Sequence, residues 1–220
     1  MRILPLLFLF VFLAVACKKD SLSSDRHEIL SGWVNFKEGG RLLYRVDSIA
    51  YRRDKAIPDT FSFEYMEIVD TMYHDNTEEL VARIKVVTRK DSLDFWQFKR
   101  MYYAKTTNKF YERVEENVRL LKMSFPPAED AFWNLNSRNN LPPAMLSYRN
   151  LYEPYTGTYV KADSTLTVVG KEINNALEKY NYLEVYGKGI GMMYRENTEM
   201  LNQGGNWDGF KRTQKLVYAN

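Results

Sequence analysis

From residue 41 onward apolar and polar positions alternate with a period of two, the repeat that sends successive side chains to opposite faces of a strand. In RLLYRVDSIAY, residues 41–51, Leu42, Tyr44, Val46, Ser48 and Ala50 share one face, and Leu43, Arg45, Asp47, Ile49 and Tyr51 the other. FSFEYMEIVDT, residues 61–71, sets Phe61, Phe63, Tyr65 and Val69 together. LVARIKVVTR, residues 80–89, sets Leu80, Ala82, Ile84 and Val86 against Val81, Arg83, Lys85, Val87 and Arg89. All three are predicted as half-buried strands. LDFWQFKRMYYA (93–104), NKFYERVEE (108–116) and VRLLKMSF (118–125) follow, divided by polar breaks at Lys105 to Asn108 and near Asn117 that suit hairpin turns.

After Phe125 the pattern changes. Pro126-Pro127, Trp133, the run NLNSRNN and Pro142-Pro143 predict a loop with one helical turn around Ala128 to Phe132, because proline is excluded from helix interiors and central strands. Strands resume with TYVKADSTLTVVG (158–170), YNYLEVYGK (180–188), IGMMYRE (190–196) and RTQKLVYA (212–219). In KEINNALEKYNY, Ile173, Ala176, Leu177 and Tyr180 have helical spacing, but a hairpin turning at Asn174-Asn175 fits the surrounding strands better. About ten short strands, with at most one or two short helices and no internal repeat, predict an all-β, mainly antiparallel domain over residues 32–220. A half-barrel or barrel is the preferred architecture and a β-sandwich the alternative.

The first residues follow another pattern. Arg2 precedes an apolar run from Leu6 to Ala16 that stops at Cys17-Lys18-Lys19-Asp20. A spanning helix would need about 20 apolar residues, so this shorter run is expected to be a removable export signal, residues 1–16. The order Leu13-Ala14-Val15-Ala16-Cys17 resembles the bacterial lipobox, which implies a diacylglycerol thioether on Cys17, cleavage before it, and a lipid bilayer as partner. Residues 17–31 are polar and rich in serine and charge, as a flexible tether would be; 14 such residues reach about 20 Å.

Composition narrows the function. Removal of 16 residues from 220 leaves 204, a size for one domain, and 45% hydrophobic with 15% aromatic residues can bury a sizeable core. With Arg2 removed, 30 basic residues face 28 acidic ones in alternation, so no basic stripe marks a nucleic-acid binder. Cys17 is the lone cysteine, which leaves no intramolecular disulfide and no thiolate chemistry once it is lipidated.

Four stretches, GRLLYRVDSIAY (40–51), EENVRLLKMSFP (115–126), FWNLNS (132–137) and EVYGKGIGMMYRE (184–196), resemble a family of uncharacterised envelope lipoproteins of the Bacteroidota type. That resemblance implies an outer-membrane location, on the periplasmic face or the cell surface, and no assigned activity. EVYGKGIGMMYRE also resembles the closing hairpin of open-barrel carriers of the lipoprotein-localisation type, which implies an apolar or lipid-like ligand within a curved sheet. Read on their own, Gly187, Gly189 and Gly191 predict a sharp turn between Val185 and Met193. A phosphate-cradling loop would need a helix next, and MMYRE reads as strand.

The residues that could carry chemistry are few. His27 lies in the tether, and His74 in Tyr73-His74-Asp75-Asn76 reads as a turn residue; no GxSxG elbow accompanies it. Neither a metal nor another cofactor is expected. Asp47, Glu64, Glu67, Glu115 and Glu184 lie in strand patterns where a carboxylate pair could face a cleft, although most such acids are the solvated side of a sheet. Trp96 and Trp133 are the candidate ligand-facing aromatics, Trp133 because Trp-Asn-Leu-Asn also suits a glycan surface. The expectation is a non-enzymatic binding lipoprotein for an apolar ligand. A surface glycan-binding or adhesion module is its alternative, and a carboxylate-dependent hydrolase ranks third.

Overall fold

The computed structural model describes residues 32–34 and 36–220. The expected signal, the lipidated Cys17 and the tether 17–31 lie outside the described residues. The chain forms one antiparallel sheet of thirteen strands: β1 (Arg41–Tyr51), β2 (Asp59–His74), β3 (Leu80–Arg89), β4 (Gln97–Thr106), β5 (Phe110–Glu115), β6 (Val118–Ser124), β7 (Phe132–Asn134), β8 (Met145–Thr156), β9 (Lys161–Gly170), β10 (Ile173–Asn174), β11 (Glu178–Gly187), β12 (Gly191–Gln203) and β13 (Asn206–Ala219). Its order is β6-β5-β4-β3-β2-β1-β13-β12-β11-β9-β8-β7, with β10 beside β11. The all-β antiparallel class is as expected; the strand count is thirteen rather than about ten.

The sheet curls into a nearly closed barrel whose seam lies between β6 and β7. No ladder joins those strands, but single bonds cross the gap. Leu121 N donates to Leu135 O at 2.9 Å, Trp133 Nε1 to Leu121 O at 2.9 Å, and Asn139 Nδ2 to Arg119 O at 2.7 Å. These groups at two sheet edges would otherwise stand unpaired.

The three extra strands are β7, β8 and β10. β7 and β10 are too short to show a period. β8 loses its alternation where its pairing with β9 breaks between Arg149 and Tyr155, with positive φ at Asn150 and Tyr152. The helical turn expected around Ala128 to Phe132 is a single turn, Ala131 N to Ala128 O at 3.1 Å, followed at once by β7. Residues 171–181 form the hairpin, with Asn175 N donating to Glu178 O at 3.0 Å; among the described residues there is no α-helix.

Period-two faces hold. Tyr44, Val46 and Ser48 point inward from β1, and Ala82, Ile84 and Val86 from β3. Gly189 turns β11 into β12 with a φ of 75°, as the glycine spacing predicted. Gly209 serves a different purpose: a Cβ there would stand 2.0 Å from Glu199 O, so only glycine lets β13 approach β12.

The two ends of the barrel differ. At the near end, where β1 begins, Trp33 and Val34 are buried in the core cluster, with Phe36 packed against it, and Gly32 O accepts from Gly189 N. At the far end, residues 52–58, 90–96 and 204–205 connect strands, and Ile57, Phe61, Leu93, Phe95 and Phe98 are exposed. LDFWQFKRMYYA does not enter the sheet until Gln97, which leaves Leu93 92% and Phe95 90% exposed.

Candidate functional site

Charged residues fill the middle of the barrel. Glu184, fully buried on β11, stands directly across from Arg195 on β12, the geometry of a cross-strand ion pair. Its Oε1 accepts from Arg195 Nε at 2.6 Å and Lys122 Nζ at 2.7 Å, and its Oε2 from the Tyr186 hydroxyl at 2.7 Å. Lys122 Nζ also donates to the Tyr182 hydroxyl. Lys122 reaches inward from β6 because of a bulge: Tyr111 pairs with Met123 and Glu112 with Leu121, which leaves Lys122 without a cross-strand partner.

A second group lies against the first. Arg113 on β5 has its guanidinium 4.0 Å above the Tyr102 ring, and its Nη2 donates to Glu67 Oε1 at 3.2 Å. The Tyr65 hydroxyl donates to the same oxygen at 3.3 Å. Arg113 Nε is 2.8 Å from Glu115 Oε1 but is not aligned for a hydrogen bond, so that contact is an ion pair alone. Ala104 stands opposite Arg113 in the sheet and Ala82 opposite Ala104, so small side chains follow it along that row.

The electrostatics follow from burial set against opposite charge. Burial alone would raise Glu184, but Arg195 and Lys122 outweigh it and hold its carboxyl well below the usual range. Glu115, pushed up by burial and down more strongly by Arg113, Arg195 and Lys122, settles at about 2. Burial pulls the Lys122 amine down to about 8, against the attraction of Glu184. Tyr44, Tyr65, Tyr102, Tyr111, Tyr182 and Tyr186 are all raised, by burial first, so each stays a neutral hydroxyl far above neutral pH.

This arrangement suits holding and orienting groups more than moving protons. A general acid needs a carboxyl raised toward neutral pH, and the low values of Glu184 and Glu115 are the reverse. Two buried donors beside the network, Arg195 Nη2 and Gln214 Nε2, lack hydrogen-bond acceptors, and each such group costs about 1–3 kcal/mol. Among the described residues no three of His, Cys, Asp and Glu converge as a metal site.

Space is divided unequally. Near the sealed end a cavity of about 40 Å³ lies among Phe36, Leu42, Glu67, Ile84, Tyr111 and Met192, room for one or two waters. At the far end a groove of about 670 Å³ opens beside Phe61, Phe63 and Phe95, with Arg89, Lys90 and Lys99 at its border and Asp94 as its one acid. The several-hundred-Å³ volume belongs to the rim, and the cavity near the other end is far smaller.

The sequence candidates fall in different places. Trp96 sits beside the groove, with Arg89 stacked 4.4 Å over its ring. Trp133 is only 6% exposed and packs on Tyr148, ring centroids 4.7 Å apart, so it presents no flat face to solvent. Of the five candidate acids, Glu67, Glu115 and Glu184 turn into the barrel. Glu64 pairs with Arg89 at 2.5 Å, and Asp47 accepts from Ser62 at 2.6 Å. His74 is the exposed last residue of β2, and the turn after it is built by Asp75, which accepts from Thr77 N at 2.8 Å. Sequence reasoning missed Lys122, Arg113, Arg195 and Gln214. For Arg113 a signal existed, since Tyr111, Arg113 and Glu115 share the parity of a buried tyrosine, as Tyr182, Glu184 and Tyr186 do.

No protein-family model matches the chain, and no curated protein matches it in sequence. Among solved structures it is similar to the crystal structure of a putative lipoprotein from Parabacteroides distasonis ATCC 8503. The TM-score is 0.47 at 9% sequence identity, over 86% of this chain and 98% of that one.

Proposed function

We propose that the chain is an envelope lipoprotein anchored through acylated Cys17, and that its barrel is a non-enzymatic binding module for an anionic amphiphile held at the far mouth. The observation that carries the binding role is the groove of about 670 Å³, with phenylalanines on its wall and more cations than acids at its border. Apolar walls with a few placed polar groups are the usual composition of a small-molecule site. Exposed Leu93 and Phe95 beside it extend the apolar surface beyond what packing requires. The apolar part of the ligand sits at the rim in this reading, since salt bridges and tyrosines occupy the middle of the barrel. The anchor rests on Leu13-Ala14-Val15-Ala16-Cys17, and the outer membrane is its proposed location. The low carboxyls of Glu184 and Glu115 support a module without hydrolase chemistry.

Mass spectrometry of the native protein extracted from membranes tests both halves. The expected result is loss of residues 1–16, acyl chains on Cys17 and a co-extracted amphiphile displaced by Phe61→Ser with Phe95→Ser. An unmodified Cys17 overturns the anchor. Extraction without any amphiphile, joined to no binding of added anionic lipid, overturns the groove.

A further inference from the structure

Two rows of inward-facing residues run side by side across the far half of the barrel. The register places Phe63, Val46, Gln214, Arg195 and Glu184 opposite one another along β2, β1, β13, β12 and β11. The next row toward the mouth is Phe61, Ser48, Arg212, Asn197 and Tyr182. Each row is apolar on β2 and rich in hydrogen-bond donors on β13 and β12, two to three strand spacings away, about 10–15 Å.

The donor ends of these rows are not satisfied. Gln214 is 5% exposed and its Nε2 has no acceptor; Arg195 Nη2, on the directly opposed residue, is buried and has none either. Charge is unbalanced in the same place. Arg195 shares Glu184 with Lys122, and Arg100 pairs with Glu116 at 2.6 Å, whereas Arg212 makes no ion pair among the described residues and lies 5.4 Å over the Phe210 ring. Partial burial of its guanidinium at the mouth, then the repulsion of Arg195 and Arg100, draws Arg212 below the ordinary arginine range. An anion set among these groups would accept from both orphaned donors and relieve the repulsion at once.

We propose that the inner wall of β12 and β13 binds an oxyanion, the carboxylate or phosphate of a free anion or of a lipid head group, on Arg195 Nη2, Gln214 Nε2 and Arg212. The site deepens the amphiphile reading of the mouth and rests on it only where the anion carries a lipid tail. Phe61 and Phe63, on the same rows, then stand where the first carbons of such a tail would run.

Binding to the full chain in detergent, at fixed ionic strength, is measured with three probes: inorganic phosphate, dioctanoyl phosphatidic acid and uncharged dioctanoylglycerol. Phosphatidic acid is expected to bind at least about tenfold tighter than dioctanoylglycerol, and Arg212→Gln and Gln214→Leu to weaken it by about tenfold each, the scale of one charged hydrogen bond. Arg212 is exposed, so Arg212→Gln keeps the test intact should Gln214→Leu fail to fold. Phosphate binding as tightly as phosphatidic acid assigns the site to a free anion, and phosphatidic acid binding alone assigns it to a head group; both uphold the site. Measurable and equal affinity for phosphatidic acid and dioctanoylglycerol, binding of neither anion, or anion binding unmoved by Arg212→Gln overturns it. Phosphate binding that depends on Arg212, with no affinity for either lipid, upholds the anion site and overturns the amphiphile reading instead.

Discussion

At the near end of the barrel Trp33 packs on Tyr152, and Val34 lines one small cavity with Val69, Ile84, Tyr111 and Met192, in a mainly apolar core. Glu67 and Arg113 border that cavity from the inside; further along, the interior is held by Glu184, Arg195 and Lys122, and beyond them it opens to a rim of exposed phenylalanines. Apolar packing is non-directional and loses stability in proportion to the atoms removed. A buried ion network is different, because each charge is tolerable only while its partner remains. The near end is built to stay shut. The far half keeps charged and polar groups in place at a cost in desolvation that a purely structural core would not carry.

Glu184→Gln should separate the two regimes most sharply. It leaves Lys122 and Arg195 buried without their shared carboxylate and is expected to cost about 3–5 kcal/mol in denaturant unfolding. The triple change Lys122→Met, Glu184→Leu and Arg195→Met should recover most of that loss, and a triple variant as unstable as Glu184→Gln would contradict this account. Trp33→Ala acts on the other end, with an expected loss of about 3 kcal/mol from the vacated volume. It should leave phosphatidic acid affinity unchanged, and altered affinity would show that the two ends are coupled.

The pH profile probes the charged half alone. Glu115 and Glu184 are held below their unfolded values, so they stabilise the fold above about pH 4.5, and that contribution should fade as pH drops toward 2. Lys122 has the opposite form: its folded value of about 8 lies below its unfolded one, so the native state binds fewer protons above pH 8 and stability should rise with pH there. Near pH 10 the unfolded-state tyrosines ionise while the buried ones in the barrel, raised by burial, stay protonated, so the gain should reverse. Thermal melts from pH 2 to 11 should show both limbs; a curve flat between pH 8 and 9.5 would remove Lys122 from the network. The smallest stability effect belongs to Phe95→Ser, within about 0.5 kcal/mol because the side chain is exposed, with a clear loss of amphiphile binding.

The strands β1 to β3, their buried faces and the turn at Gly187 to Gly191 were legible in the sequence because each depends on a repeat or a residue type visible over a few positions. The three inward acids were legible only by parity, since strand alternation gives a carboxylate the same face as its neighbours at two residues' distance whatever its charge. Lys122 was beyond reach: the bulge that turns it inward shifts the register by one, and nothing in VRLLKMS marks where the extra residue falls. Trp133 was misplaced for a related reason. Its Asn-rich setting has the composition of an exposed loop, yet β7 lies on the seam, where the indole N–H is needed by Leu121 O.

The pairing of β1 with β13 has a consequence for how the molecule is made. These two strands sit at the centre of the sheet order, joined from Leu42 with Ala219 to Tyr51 with Gly209, and Asn220 bonds to Arg41 at both N and Oδ1. Strands so far apart in the chain meet late, and sheets rich in such contacts fold slowly. The barrel cannot close until β13 has been delivered, so a chain passing through a membrane channel in the N-to-C direction would stay threadable until that strand had passed.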